Sequence, residues 1–365
     1  MKYDTGADRW LLFAVAVLLA IGVTMVLSTS YLYSQERFSD GTYLFQKQII
    51  AVAIGLASLF VAALLSPVTY RRLAYPLLIL TFLSLVFTLF PGIGLLRGGA
   101  RRWLPLGGFA FQPAELTKIS LVLYLAHSLA KKGEKIRLFF TGVLPHLIVG
   151  GILMGLILLQ HDLGVPLILG MILLLMLFVA GAKVSHLLLI GLAVLPVVGV
   201  LVLQTGYRLR RLLVFLNPWD DASNSGFQII QSYIAFGSGQ LWGRGLGQSR
   251  QKLFYLPEAH TDFIYSLIGE ELGLLGALFV LGLFGLIVIR GFRLAMKIED
   301  PFGQYLAYGL TTLLGLQALI HMGVVMGLMP TKGLVLPFIS YGGSAMVVDL
   351  ALVGMLLGLS RRRVV

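Results

Sequence analysis

Cysteine is missing from this 365-residue chain. That removes disulfides, thiolate metal sites and cysteine nucleophiles, and it leaves the redox compartment unread. Charge is scarce as well. Asp, Glu, Lys and Arg make up 12% of the residues, about half the quarter usual in a soluble chain. Acidic residues are the scarcer sign, 16 against 28 basic, for a formal net charge of +12. No hydrophilic domain interrupts the sequence, and no internal repeat is evident. In place of charge stands apolar surface: 58% of the residues are hydrophobic, and the mean hydropathy is +0.91. A soluble protein of this length could not cover itself with so few charges, so the bilayer is the solvent for most of the chain. In such a protein the placement of charge matters more than its sum, and +12 is no argument for a nucleic-acid partner.

Apolar runs near the 20 residues or so that cross a hydrocarbon core recur along the chain. They fall at 10–31, 48–65, 73–90, 113–130, 143–160, 163–181, 186–204, 262–289, 305–328 and 344–359. The expectation is an all-α, polytopic membrane protein of about ten spans, one domain over 1–365. The first run is longer than a signal-peptide core, and Asp4 and Asp8 spoil a basic leader, so it reads as a retained anchor. Loop charges orient the spans. With the N-terminus inside, the inner side collects Lys2, Arg9, Arg71, Arg72, Lys131, Lys132, Lys135, Arg137, Lys183, Arg290, Arg293, Lys297 and Arg361 to Arg363, 15 basic residues. The outer side holds 7 outside its one long loop: Arg37, Lys47, Arg97, Arg101, Arg102, Lys118 and Lys332. That asymmetry predicts both termini inside.

The long outer loop, 205–261, exceeds the length at which structureless connections are usual. Its Phe227–Phe236 stretch predicts a short helix lying on the membrane surface, followed by a glycine-rich turn to Gly247.

The informative charges sit at outer helix ends. Glu115 and Lys118 follow Pro113, which suits a first helical turn, and at i and i+3 they share a face. They read equally as a dipole-favoured carboxylate with a snorkelling lysine or as a functional intramembrane pair. Arg97, Arg101, Arg102 and Trp103 cluster where basic residues are disfavoured, as an anion site or an interfacial belt. Asp262 opens a long apolar helix with Thr261 as its expected N-cap. An ionised carboxylate there can take a proton from a hydroxyl, hold a divalent cation such as Mg2+ or Mn2+, or help to cap the helix. Glu270 and Glu271 lie two to three turns deeper, with packing and functional roles equally open. The loop Pro330–Ala345 is irregular backbone at the bilayer edge, tolerated only when buried or lining a watery cavity. Its free N–H groups, around Ser340, Gly342 and Gly343, together with Lys332 suit an anion cradle. Asp349 reads as a buried partner of a basic group. The histidines show no zinc-type spacing, and no organic cofactor is expected.

At these residues the sequence resembles the SEDS family of bacterial cell-wall polymerases, the group of FtsW, RodA and SpoVE. The likeness runs from the first span to the last. Its most specific stretch is Gly327–Ala345, reading GLMPTKGLVLPFISYGGSA, supported by 245–263 ending in LPEAHTDF, by Ala100–Trp103 and by Phe111–Glu115. Pro-Thr-Lys-Gly and Leu-Pro-Glu-Ala-His-Thr-Asp are closer to the FtsW branch than to the RodA branch. His321, Ala114 and Gln240 depart from the more usual Asn, Ser and Gly.

The resemblance implies a peptidoglycan glycosyltransferase in the bacterial cytoplasmic membrane. It would polymerise lipid II at the outer face, in division or elongation, with release of undecaprenyl pyrophosphate. It implies Asp262 as the essential aspartate, with Glu115, Lys118 and Trp103 around the same cavity. A class B penicillin-binding protein is the implied membrane partner, alongside other divisome or elongasome proteins, and Gly269 and Gly273 offer one face for it. Two other readings compete: a lipid II flippase and a non-catalytic divisome scaffold. A flippase predicts charges reached from both sides and internal repeats; a scaffold predicts tolerance of Asp262 substitution.

Overall fold

A computed structural model describes residues 8–97, 99–107, 109–203, 210, 213–224, 226–331 and 333–361. Ten helices correspond to the ten apolar runs: α1 (Arg9–Phe38), α2 (Tyr43–Leu64), α3 (Pro67–Leu89), α4 (Pro113–Lys132), α5 (Leu144–Leu159), α6 (Gly164–Val179), α7 (Val184–Leu203), α9 (Ile264–Ala295), α10 (Pro301–Val325) and α11 (Gly343–Arg361). Between α7 and α9 lies the shorter α8 (Phe227–Gly239). Among the described residues seven helices are long and apolar enough to cross a membrane, with a π-turn at Phe139–Val143 extending α5. α6 and the unbroken apolar part of α7 are shorter, and α4 carries charge at both ends.

Local capping signals start several helices, two of them ahead of the apolar runs that begin at 73 and 305. Asp8 caps α1 by accepting from the N–H groups of Trp10 and Leu11. Ser66 and Asp300 do the same for α3 and α10, each followed by proline at the first helical position, where no N–H is needed. The bundle closes through small residues. A methyl group on Gly354 would meet Leu59 O at 2.2 Å, and Gly358 faces the Ala63 carbonyl, so α2 and α11 pack backbone to backbone. Dispersion and close fit, rather than hydrophobicity, hold helices together in lipid.

Three expectations change. The fold is helical throughout its membrane body, but a three-stranded antiparallel sheet stands between α3 and α4: β1 (Leu95–Arg97), β2 (Ala100–Leu106) and β3 (Phe109–Phe111). The two Gly-Gly pairs between these short runs were its hairpin signal in the sequence.

α8 is not an isolated surface helix. It runs down beside α9 in the same direction: Ser232 Oγ meets Ser266 Oγ at 2.8 Å, Phe236 packs on Gly269, and Gly239 touches the Gly269 carbonyl. The chain then turns at 240–247 and climbs back toward Asp262. Buried backbone polar groups need partners, and α9 supplies them by breaking. Gly273 adopts φ 70°, a left-handed value that glycine tolerates. The carbonyls this frees, Glu270 O and Glu271 O, accept from Arg244 N and Gly245 N at 2.9 and 3.0 Å, while Leu274 N donates to Gln240 O.

The same contacts settle Gly269 and Gly273. Both faces are filled by α8 and its turn, so neither is open to a partner helix. They also explain Glu270 and Glu271. Glu270 accepts from Arg250 N and from Ser249 and Ser238 hydroxyls; Glu271 accepts from Gly247 N, Ser28 Oγ and Lys252 Nζ. These buried carboxylates are the acceptors that the returning loop requires.

Candidate active site

The turn before α9 carries Asp262. Helix α9 begins at Ile264 with Phe263 at the cap position, and Thr261 is not the cap: its hydroxyl donates to Glu258 O. Asp262 N also donates to Glu258 O, at 3.1 Å, so the carboxylate is held on a compact turn. Across from it stands the loop between α10 and α11. A methyl group on Gly333 would sit 3.0 Å from Asp262 Oδ2, so the absence of a side chain there lets loop and carboxylate meet.

Further contacts lock that loop to the Asp262 turn. Tyr341 N donates to His260 O at 2.9 Å; Ser340 Oγ donates to Thr261 O at 2.7 Å and accepts from Leu336 N at 2.8 Å. Gln48 of α2 reads the other side, donating to Ser340 O and accepting from Gly342 N. The expected anion cradle is therefore not formed by the N–H groups of Leu336, Tyr341 and Gly342. Buried donors must be paired, and protein acceptors pair these. Gly343 opens α11 against Ala51, while Ser344 Oγ accepts from Gln112 N and so ties α11 to the start of α4. Lys332 lies outside the described residues.

The contacts continue from that loop to the start of α6. Leu334 packs on Gly164, whose N–H is taken by Asp162 Oδ1 at 2.8 Å. Arg102 donates to the carbonyls of Gln160 and His161 at 2.9 and 2.7 Å, a guanidinium satisfying the orphan acceptors at the C-terminus of α5. That work secures β2 to the α5–α6 turn. Arg101 and Trp103 are half-buried on the same strand, opposite Leu96 and Leu95.

Beneath these contacts lies a buried polar chain. Lys118 Nζ is 2.6 Å from Glu115 Oε2, an ion pair rather than an aligned hydrogen bond, with only 2% of its side chain exposed. Its hydrogen bond goes to Gln317 Oε1 of α10, and Gln317 Nε2 donates to Asp349 Oδ1 of α11 at 3.4 Å. Asp162 and Asp349 are within electrostatic reach of the ammonium. His321, one turn beyond Gln317, meets Leu334 O at 2.6 Å and so joins this chain to the loop above. Asp349 Oδ2 and His321 Nε2 are buried without a partner. The basic partner expected for Asp349 is thus Lys118, reached through an amide.

Sequence reasoning passed over Gln48, Gln317, Asp162 and His260. Gln48 and Gln317 had one signal, an amide inside an apolar run, where unpaired polar groups are expensive. The other two were marked only by lying next to Asp262 or to a helix start. Among the described residues no three His, Asp or Glu side chains converge as metal ligands. An all-protein cage does not fit Asp262; a bound divalent ion there would complete its shell with substrate oxygens and water.

Residues 9–364 match the profile of the FtsW/RodA/SpoVE family, described as cell cycle proteins. The chain belongs to that family. Among its relatives, a probable peptidoglycan glycosyltransferase FtsW of Geobacter metallireducens is 49% identical over 352 residues, covering 96% of this chain and 94% of the relative. Stage V sporulation protein E of Bacillus subtilis is 40% identical over 357 residues, 98% of each chain. Two solved structures share the family fold. A chain of a peptidoglycan synthase complex that coordinates polymerization and crosslinking superposes with a TM-score of 0.80 at 31% identity, covering 98% of both chains. The rod shape determining protein RodA of Thermus thermophilus gives 0.72 at 31% identity, covering 98% of this chain and 97% of that one. The FtsW/RodA/SpoVE membership fits what the contacts show: a polytopic helical body in which the loop 333–344 meets the Asp262 turn and the start of α4.

Proposed function

We propose that this chain is a peptidoglycan glycosyltransferase that joins lipid II units at the outer face of the bacterial cytoplasmic membrane, with both termini inside. The observation that carries the reading is the locked contact between the Asp262 turn and the loop bearing Gly333, Ser340 and Tyr341. A carboxylate held on a rigid turn suits a general base. Asp262 takes the proton from the acceptor sugar hydroxyl as its oxygen attacks the anomeric carbon of the donor. The bond from that carbon to the diphosphate breaks, and undecaprenyl pyrophosphate leaves with the electron pair. Arg101 and Lys332 are the cations that suit the diphosphate charge, and Trp103, on the same strand as Arg101, suits a sugar or lipid contact. Glu115 and Lys118 shape the floor from below.

Crosslinking requires a separate enzyme, and a class B penicillin-binding protein is the partner the proposal names. The FtsW-type relatives and the division-branch stretches favour a role in septal synthesis.

Glycan formation from lipid II by the purified chain in detergent tests this reading. Polymer is expected. Movement of lipid II between leaflets of a vesicle without any polymer overturns it in favour of a flippase.

A further inference from the structure

Two polar contacts between α1 and α9 are spaced like the two edges of a hydrocarbon core. Near one end Arg290 pairs with Asp8 at 2.7 Å; toward the other, Ser28 Oγ donates to Glu271 Oε1 at 2.8 Å. The two levels are about 20 residues apart on α1 and about 19 on α9, about 28–30 Å of helix at 1.5 Å per residue. A hydrocarbon core is about 30 Å thick. The helices themselves have 30 and 32 residues, so each projects beyond the slab, chiefly at the end that carries Asp262.

The turn 240–247 sits at the level of Glu271. Its backbone is bonded to both sides of the Gly273 break, and the Glu271 carboxylate takes Gly247 N, so the turn cannot slide along α9. Its outward side chains are Leu241, 56% exposed, Trp242, 81%, and Leu246, 57%. Arg244 is exposed beside them; its Nε donates to Ser238 O at 3.4 Å. Below the turn, α9 presents Leu274, Leu275, Leu278 and Phe279, each about half exposed, a face at acyl-chain depth. Leu241 and Leu274 share the wall of one shallow hollow of about 340 Å³, so the apolar surface continues from that face onto the turn. A rigid tip of this composition is unfavourable in water. Tryptophan and a snorkelling arginine both suit the headgroup layer.

We propose that the turn 240–247 is an interfacial anchor seated in the outer phospholipid leaflet. Leu241, Trp242 and Leu246 enter the boundary between headgroups and acyl chains, and Arg244 pairs with a phospholipid phosphate. The anchor fixes the height of the loop that returns from Gly247 to Asp262.

Because the chain lacks cysteine, Trp242→Cys places one nitroxide at this tip, at an exposed position where folding is not at risk. The full chain, alone in nanodiscs of phosphatidylglycerol and phosphatidylethanolamine, is the sample. The label is expected to collide more with oxygen than with a water-soluble nickel chelate, at a depth of about 5–10 Å into the interface. Dominant nickel access overturns the proposal, as does exclusion of both reagents, which means a protein covers the tip. Native mass spectrometry tests the phosphate contact. Arg244→Gln is expected to lose at least one tightly retained phosphatidylglycerol per chain, and unchanged retention overturns that contact.

Discussion

Ser340 donates its hydroxyl to the Thr261 carbonyl while accepting from Leu336 N, so one buried side chain joins the loop after α10 to the turn that presents Asp262. Nearly 80 residues of sequence separate the two segments, and each is shaped to fit the other.

Ser340→Ala leaves a buried N–H and a buried carbonyl unpaired. A loss of about 1–3 kcal/mol is expected, read as a lower unfolding temperature in detergent. Polymerisation should fall in parallel, because the Asp262 turn loses its brace. An unchanged melting temperature would show that the clasp contributes nothing.

Asp262→Asn keeps the size of the side chain and removes its charge and basicity. Polymerisation by the purified, folded variant should drop about 10²-fold or more. Near-native rates would sink the assignment. Chelating divalent ions from the unsubstituted chain should leave most activity, as a direct base requires; abolition by chelation would make Asp262 a metal ligand that works with substrate oxygens.

Lys118 and Glu115 should be strongly non-additive. Removing one partner strands a buried charge, at about 3–5 kcal/mol, so Lys118→Met and Glu115→Gln should each destabilise the fold severely. The double substitution should recover much of that loss in a double-mutant cycle. Additive losses would mean that the 2.6 Å contact carries no coupling.

His260 gives a pH dependence. Buried between the rings of Tyr33, at 4.9 Å, and Tyr341, at 5.8 Å, it is held below the ordinary histidine value of 6.5 by desolvation, against the opposing pull of Glu258. The folded state therefore resists the proton that the unfolded chain accepts. Stability is full above pH 6.5 and declines as pH falls from there toward the lowered value. His260→Phe should flatten that part of the stability curve. An identical slope in the variant would assign the acid sensitivity to another group.

The sequence by itself determined the membrane body, because about 20 apolar residues in a row have no other stable use, and no tertiary contact is needed to read them. The helix starts at Ser66-Pro67 and Asp300-Pro301 carry a local signal, since caps act within one turn, but the apolar runs alone placed those starts later, at 73 and 305. The acidic residue before α9 was legible too, since a charge at the end of an apolar helix is conspicuous.

Only the tertiary structure decided what each charge does. Arg102 looked like an anion binder until α5 brought two carbonyls to it, and Glu270 and Glu271 had no partner until the loop after α8 returned to them. Gln317 and Asp349 found Lys118 only when α4, α10 and α11 packed together. The descent of α8 along α9 was hidden because a helix on the membrane surface and one packed beside a span carry the same apolar face. Whether lipid or protein covers that face depends on a break at Gly273, and the backbone groups freed there bind a segment about 30 residues away in sequence.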